Sequence, residues 1–201
     1  MNQKTNQGST VPGQRRKLQT SLLFAAGLLV SLASTAGAQI SSNQATVTLN
    51  ATLAESLTIS ASPNAVNFAL VSGAIATGST PVAITTTWVL KTSRSTVNLY
   101  SWFTTPTAAL TDAGSPANNI ASSLVLGTVP TGAPTSFTAF TQSNTLGTAS
   151  GGLQLFTQAI SSTNRAATRT DNLSLEINLT TLPQLPAGTY TGILTLQAQA
   201  L

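Results

Sequence analysis

Leu173-Ser174-Leu175-Glu176-Ile177-Asn178-Leu179 places an apolar residue at every second position and a polar one between. Side chains alternate between the two faces of a strand, so this run predicts a β-strand with one buried and one wetter face. Downstream, Pro183 and Pro186-Ala187-Gly188 punctuate the chain, and Tyr190, Leu194, Leu196 and Ala198 alternate along a C-terminal strand. Upstream, Pro81 to Leu90 sets Val82, Ile84, Thr86, Trp88 and Leu90 on one side. Lys91-Thr92-Ser93-Arg94 then leads to Ser95 through Phe103, where Val97, Leu99 and Phe103 oppose Asn98, Tyr100 and Trp102. This pair of runs reads as an antiparallel hairpin. Earlier still, Val47, Leu49, Ala51 and Leu53 share one face of a first segment, Ala45 to Leu53, and Leu57 and Ile59 continue after Glu55.

Further strands are expected at Ser123 to Val129 and Leu153 to Ile160. From residue 39 onward the chain holds 31 Thr and 19 Ser, with Lys, Glu and Arg almost missing. Thr is β-branched and suits pleated surfaces, while Ser, Gly, Asn and Pro fill turns. Short strands without amphipathic helices between them define an all-β class, an antiparallel β-sandwich rather than a parallel βαβ sheet. Residues 104–152 are the least patterned stretch and read as a long excursion carrying one or two strands, because a structureless loop of that length does not suit a compact domain.

The N-terminus has a different character. Arg15-Arg16-Lys17 precedes the apolar run Leu22 to Val30, and small residues ending in Ala36-Gly37-Ala38 follow. This order describes a secretory signal peptide, residues 1–38, with cleavage expected after Ala38. The apolar run is far shorter than the roughly 20 residues that span a bilayer. The general secretory route is preferred to the twin-arginine route despite the Arg15-Arg16 pair. Residues 39–201 then form one exported domain, of a size able to bury about 70% of its unfolded surface. It lies in the periplasm, on the cell surface or outside the cell, with no stable membrane span after processing.

The formal charge of +4 on 201 residues suggests an anionic partner, but Lys4, Arg15, Arg16 and Lys17 supply it. Beyond them, Lys91, Arg94, Arg165 and Arg169 balance Glu55, Asp112, Asp171 and Glu176. No nucleic-acid partner is expected of a near-neutral domain. Without His or Cys, a Ser-His-Asp triad, thiol chemistry and disulfides are excluded. No cofactor, no metal site and no catalytic residue is expected. The four carboxylates read as solvent-facing or turn-forming groups, with Asp112 and Asp171 in turn-like contexts, rather than as a glycosidase pair. Lys91 sits in a turn and is not expected to form an isopeptide.

Two features point to binding. Tyr100 and Trp102 share one face of their strand and offer a site for stacking on sugar rings, unless the excursion at 104–152 covers them, which is the preferred expectation. The nearly uncharged segment Ala45 to Leu53 has few of the Lys or Pro residues that protect a sheet edge. It either inserts into a neighbouring copy by β-strand addition or forms strand one of its own sandwich, the second being preferred.

Ala45-Thr46-Val47-Thr48-Leu49, Ser56-Leu57-Thr58-Ile59 and the ending Leu185-Pro186-Ala187-Gly188-Thr189-Tyr190-Thr191-Gly192-Ile193-Leu194-Thr195-Leu196 resemble secreted bacterial β-sandwich domains of the spore-coat-U and fimbrial-pilin type. The resemblance implies an immunoglobulin-like fold, a last strand beginning near Tyr190 at a corner, and a structural or adhesive role. The chain departs from chaperone-assembled pilins in lacking their Cys pair and penultimate aromatic. The expected function is therefore a non-catalytic exported structural or adhesive module of a surface, coat or filament, partnered by itself or other surface proteins. A carbohydrate-binding module is the competing class.

Overall fold

The computed structural model describes residues 40–114 and 116–201, so the expected signal peptide lies outside the described residues. Eleven strands follow in chain order: β1 (Ser56–Ser62), β2 (Ile75–Thr77), β3 (Val82–Val89), β4 (Thr96–Trp102), β5 (Leu110–Thr111), β6 (Asn119–Ile120), β7 (Val125–Thr128), β8 (Thr138–Ala139), β9 (Gly152–Ala159), β10 (Ala166–Asn178) and β11 (Thr195–Ala200). Single 3-10 turns occupy Pro106–Ala108 and Ser122–Leu124.

One sheet runs β1-β3-β10-β7-β8, with β2 also on β10, a second runs β11-β4-β9, and β5 and β6 form a two-stranded ribbon. All pairings are antiparallel. β10 spans two neighbourhoods: its first half pairs with β3 from Ala166↔Val89 to Leu173↔Val82, and its second half lies between β7 and β2. The order β1, β3, β10, β7 is the A-B-E-D order of an immunoglobulin-type sandwich, and β4 and β11 take the places of C and F. Strand G of that plan would lie on the outer side of β11, where no described strand pairs.

The core follows from period two. Val82, Ile84 and Trp88 of β3 and Leu173, Leu175 and Ile177 of β10 face Val97 and Leu99 of β4 and Leu153, Leu155 and Phe156 of β9. Register slips between Leu99↔Phe156 and Tyr100↔Gln154, so Leu155 is an extra residue. Such a bulge lets consecutive residues bury side chains, as Leu155 and Phe156 both do. Gly127 of β7 allows this packing, because a Cβ there would sit 3.0 Å from Leu153, 3.1 Å from Leu173 and 3.2 Å from Phe140. On the opposite face, Thr85 and Thr170 pair hydroxyls at 2.9 Å, as do Thr87 and Thr168 at 3.0 Å.

Three expectations are corrected. The runs Pro81 to Leu90 and Ser95 to Phe103 are not a hairpin: β3 and β4 belong to different sheets, and the Lys91–Arg94 link is a corner between layers. Alternation reports which face is buried, and both runs bury one against the other across the core. The segment Ala45 to Leu53 is not strand one of this sandwich; it has no secondary structure and every residue is exposed, ladder pairing starting only at Ser56. The excursion at 104–152 carries four short strands, β5 to β8, rather than one or two. It is tied into the core by Ile120, Val125, Val129 and Phe140.

Candidate functional site

The last strand, Thr195-Leu196-Gln197-Ala198-Gln199-Ala200, pairs with β4 on one side only. Its exposed edge carries no Lys, Arg, Asp, Glu or Pro, the residues that usually stop edge pairing. Leu196, Ala198 and Ala200 face the core yet stay only partly buried, as do Leu57 and Ile59 of β1, the strand that comes near β11 from the other sheet. Between these two edges the two-layer core is incompletely covered. Leu194 is half-buried just before β11, and Ile193 is exposed.

Residues 40–49 have no secondary structure, and all are exposed. Residues 50–54 are likewise unpaired and exposed. Across both stretches Val47, Leu49 and Leu53 are 82, 88 and 81% exposed, an alternating apolar row. Glu55 fixes where the sandwich begins. Its Oε1 accepts from the Lys91 N–H at 2.9 Å and from Arg94 Nε at 3.2 Å, and Lys91 Nζ stands 3.5 Å from Oε2. These donors, the Lys91 backbone first and Arg94 second, hold the Glu55 carboxyl below its usual range.

A second cluster lies inside one end of the sandwich. Arg169 and Asp171 both fall on the inward face of β10, two residues apart. Asp171 is 1% exposed; it accepts from Arg169 Nε at 2.6 Å, from Arg169 Nη2 at 2.8 Å and from the Thr131 hydroxyl at 2.7 Å. Arg169 also donates to Gln158 Oε1 at 3.3 Å and to the Thr131 carbonyl, and stacks 4.5 Å over the Phe156 ring. Asp171 keeps the guanidinium basic beyond its already high ordinary value. Sequence reasoning missed this pair by reading Asp171 as a turn residue. The available signal was the i, i+2 spacing, which continues the inward row Leu173, Leu175, Ile177.

Tyr100 and Trp102 are each 9% exposed, so neither ring offers a free face for sugar stacking. β4 is the central strand of its sheet, and the excursion folds over its outer side: a Cβ on Gly147 would stand 2.6 Å from Cγ of Trp102. Asn144 Oδ1 holds this loop by accepting from the N–H of Leu146 at 3.0 Å and of Gly147 at 2.6 Å. Gly147→Val is therefore expected to lift the loop and uncover Trp102, read as a red shift in tryptophan emission with the β-sheet circular dichroism retained.

The other acids are separate from one another. Asp112 closes a turn, accepting from Asn118 Nδ2 at 2.9 Å, from the Asn118 N–H at 2.7 Å and from the Gly114 N–H at 3.2 Å, and its pKa is lowered by Asn118 above all. Glu176 sits between Thr77 and Leu126 on β10. Among the described residues no group of three His, Cys, Asp or Glu converges. Because the folded-state pKa values of Glu55 and Asp112 are depressed, their stabilisation is complete above the ordinary values of 4.5 and 3.8 and is lost as pH falls through the lower folded values. Tm is expected to be flat near neutrality and to fall in acid below those values. Asn118→Ala should reduce that fall, as checked by calorimetry across pH.

Tyr190 makes the corner before β11. Its hydroxyl donates to the Pro186 carbonyl at 2.9 Å, the bond of a tyrosine corner at the start of strand F. Burial, and then the charge of Asp112, raises its pKa. No helix among the described residues is long and apolar enough to cross a membrane. Fold and edges together define an all-β sandwich of immunoglobulin-type strand order in which the outer edge of β11 is unpaired among the described residues. No family model, curated protein or solved structure matches this chain.

Proposed function

We propose that this protein is an exported, non-catalytic structural or adhesive module whose copies join by β-strand addition, the segment Ala45 to Leu53 of one copy lying along β11 of the next. The carrying observation is a complementary pair of surfaces on one chain: an unpaired alternating apolar segment and an uncharged edge beside an incompletely covered core. Nine extended residues reach about 30 Å, more than the roughly 20 Å of six-residue β11. Val47, Leu49 and Leu53 would enter the layer formed by Leu57, Ile59, Leu196 and Ala198.

Burying three such side chains contributes about 5–9 kcal/mol, similar to the lower estimates, about 4–15 kcal/mol, of the cost of association. The main-chain ladder along β11 then decides the affinity, and a segment without charge or proline is suited to form it. A non-catalytic role is supported by the dispersal of the four carboxylates, three of them engaged by donors of their own.

Sedimentation across a concentration series tests the reading. The native protein is expected to form oligomers that grow with concentration, whereas Leu49→Asp should stay monomeric with an unchanged fold. A native protein monomeric at every concentration, or an Leu49→Asp variant that assembles equally well, would overturn it.

A further inference from the structure

A cavity of about 260 Å³ opens between β9 and the loop after β7, lined by Thr131, Gly132, Ala133, Gln154, Phe156, Thr157 and Arg169. Its hydrogen-bonding character follows from counting what the surrounding groups have left. Arg169 has five N–H donors and uses four: Nε and one on Nη2 to Asp171, one on Nη2 to the Thr131 carbonyl, and one on Nη1 to Gln158. One Nη1 N–H is unspent. The Thr157 hydroxyl accepts from Gln154 Nε2 at 2.6 Å and keeps its own proton to donate. Gln154 keeps a second N–H and its carbonyl oxygen. The loop amides of Gly132 and Ala133 already donate to Val129 and Leu155.

The wall thus presents three free donors, one of them cationic, beside acceptor positions on Gln154 Oε1 and on the Thr157 and Thr131 hydroxyls. The matching ligand therefore carries an anionic group together with hydroxyls that both donate and accept. Charge is arranged in the same sense. Asp171 lies buried behind the guanidinium and does not line the cavity, so the near field at the opening is positive even though the pair is neutral. The guanidinium is held by four hydrogen bonds and by Phe156, which fixes its free N–H before a ligand arrives. The volume falls just under the roughly 300–1,000 Å³ of pockets for drug-sized ligands, which leaves room for a single ring with its substituents.

We propose that this cavity binds one carboxylate-bearing sugar unit, a hexuronate of the kind found in acidic polysaccharides. Its carboxylate would take the Arg169 Nη1 proton, and its hydroxyls would meet Thr157 and Gln154. This site is distinct from the Tyr100 and Trp102 face and does not depend on assembly through β11.

The test is titration of the full-length protein with sodium glucuronate, followed by amide chemical shifts. Shifts confined to Gly132, Gln154, Thr157 and Arg169 are expected, with a dissociation constant of about millimolar order that weakens with added salt. Thr157→Val and Gln154→Leu alter side chains at the rim rather than the Arg169–Asp171 pair and should weaken binding several-fold while leaving the fold intact. An absence of shifts, or binding untouched by both substitutions, would overturn the assignment. Glucose binding as tightly as glucuronate would remove the role of the carboxylate, and acetate doing so would remove the role of the ring; either result also overturns it.

Discussion

Asp171→Ala is expected to lower the unfolding free energy by about 3–5 kcal/mol, because it leaves the inward-facing Arg169 charge without its partner. The carboxylate accepts three hydrogen bonds from groups on β10 and on the loop after β7, so the Thr131 hydroxyl is orphaned too. At roughly 2–4 °C per kcal/mol for a domain of this size, Tm should fall by about 10 °C. The loss belongs to breaking the pair rather than to its net worth. Replacing both partners, Arg169→Met with Asp171→Leu, should recover most of the stability, since a buried ion pair replaced by apolar groups is often neutral or better. A double-mutant cycle read by denaturant unfolding checks this, and a double variant as unstable as Asp171→Ala would contradict it.

Phe140→Ala is the other large effect, about 3–5 kcal/mol for a fully buried aromatic. Phe140 is wholly buried and meets Phe103 edge to face, with ring centroids 5.2 Å apart at 72°. It is also the anchor that returns the excursion to the core: its N–H donates to the Val125 carbonyl at 3.0 Å, and its carbonyl accepts from the buried Ser122 hydroxyl at 2.7 Å. Its removal should therefore do more than open a cavity. The loops after β8 would loosen, so amide exchange at Gln142 and Gly152, which bond each other at 2.8 Å, should accelerate more than exchange in β3 or β10. Uniform acceleration across both sheets would show instead that the excursion and sandwich unfold as one unit.

These residues also show what the sequence carries and where it stops. Leu173, Leu175 and Ile177 are buried as their alternation requires, because period two is a local property of a strand. Whether β3 meets β4 as a hairpin or across the core is not local. Both arrangements satisfy the same alternation and the same four-residue link, and only the competition among β1, β10, β9 and β11 for their edges separates them. The segment Ala45 to Leu53 is the instructive failure. Its pattern describes a strand with one apolar face, yet its residues carry no secondary structure. The pattern reports an ability to pair without saying with whom. The Arg169–Asp171 pair was legible in spacing, but its cavity depends on a loop some forty residues away in sequence, which no pattern in β10 announces.

The Glu55 corner has a consequence for the electric field of the domain. Lys91, Arg94 and Arg165 gather there with Glu55, Arg165 donating to the Lys91 carbonyl at 2.8 Å. Among residues 40–201 this end carries a surplus of positive charge, while Asp112 and Glu176 stand toward the other end and Arg169 and Asp171 cancel. Glu176 lies ten residues along β10 from the Val89 end, about 30 Å away. A domain without net charge is therefore a long dipole. Two copies approaching in line attract and two approaching side by side in the same sense repel, so encounter orientation is biased before any contact forms. Because the Debye length is about 8 Å at physiological ionic strength, that bias should be strongest in dilute buffer and fade as salt is added.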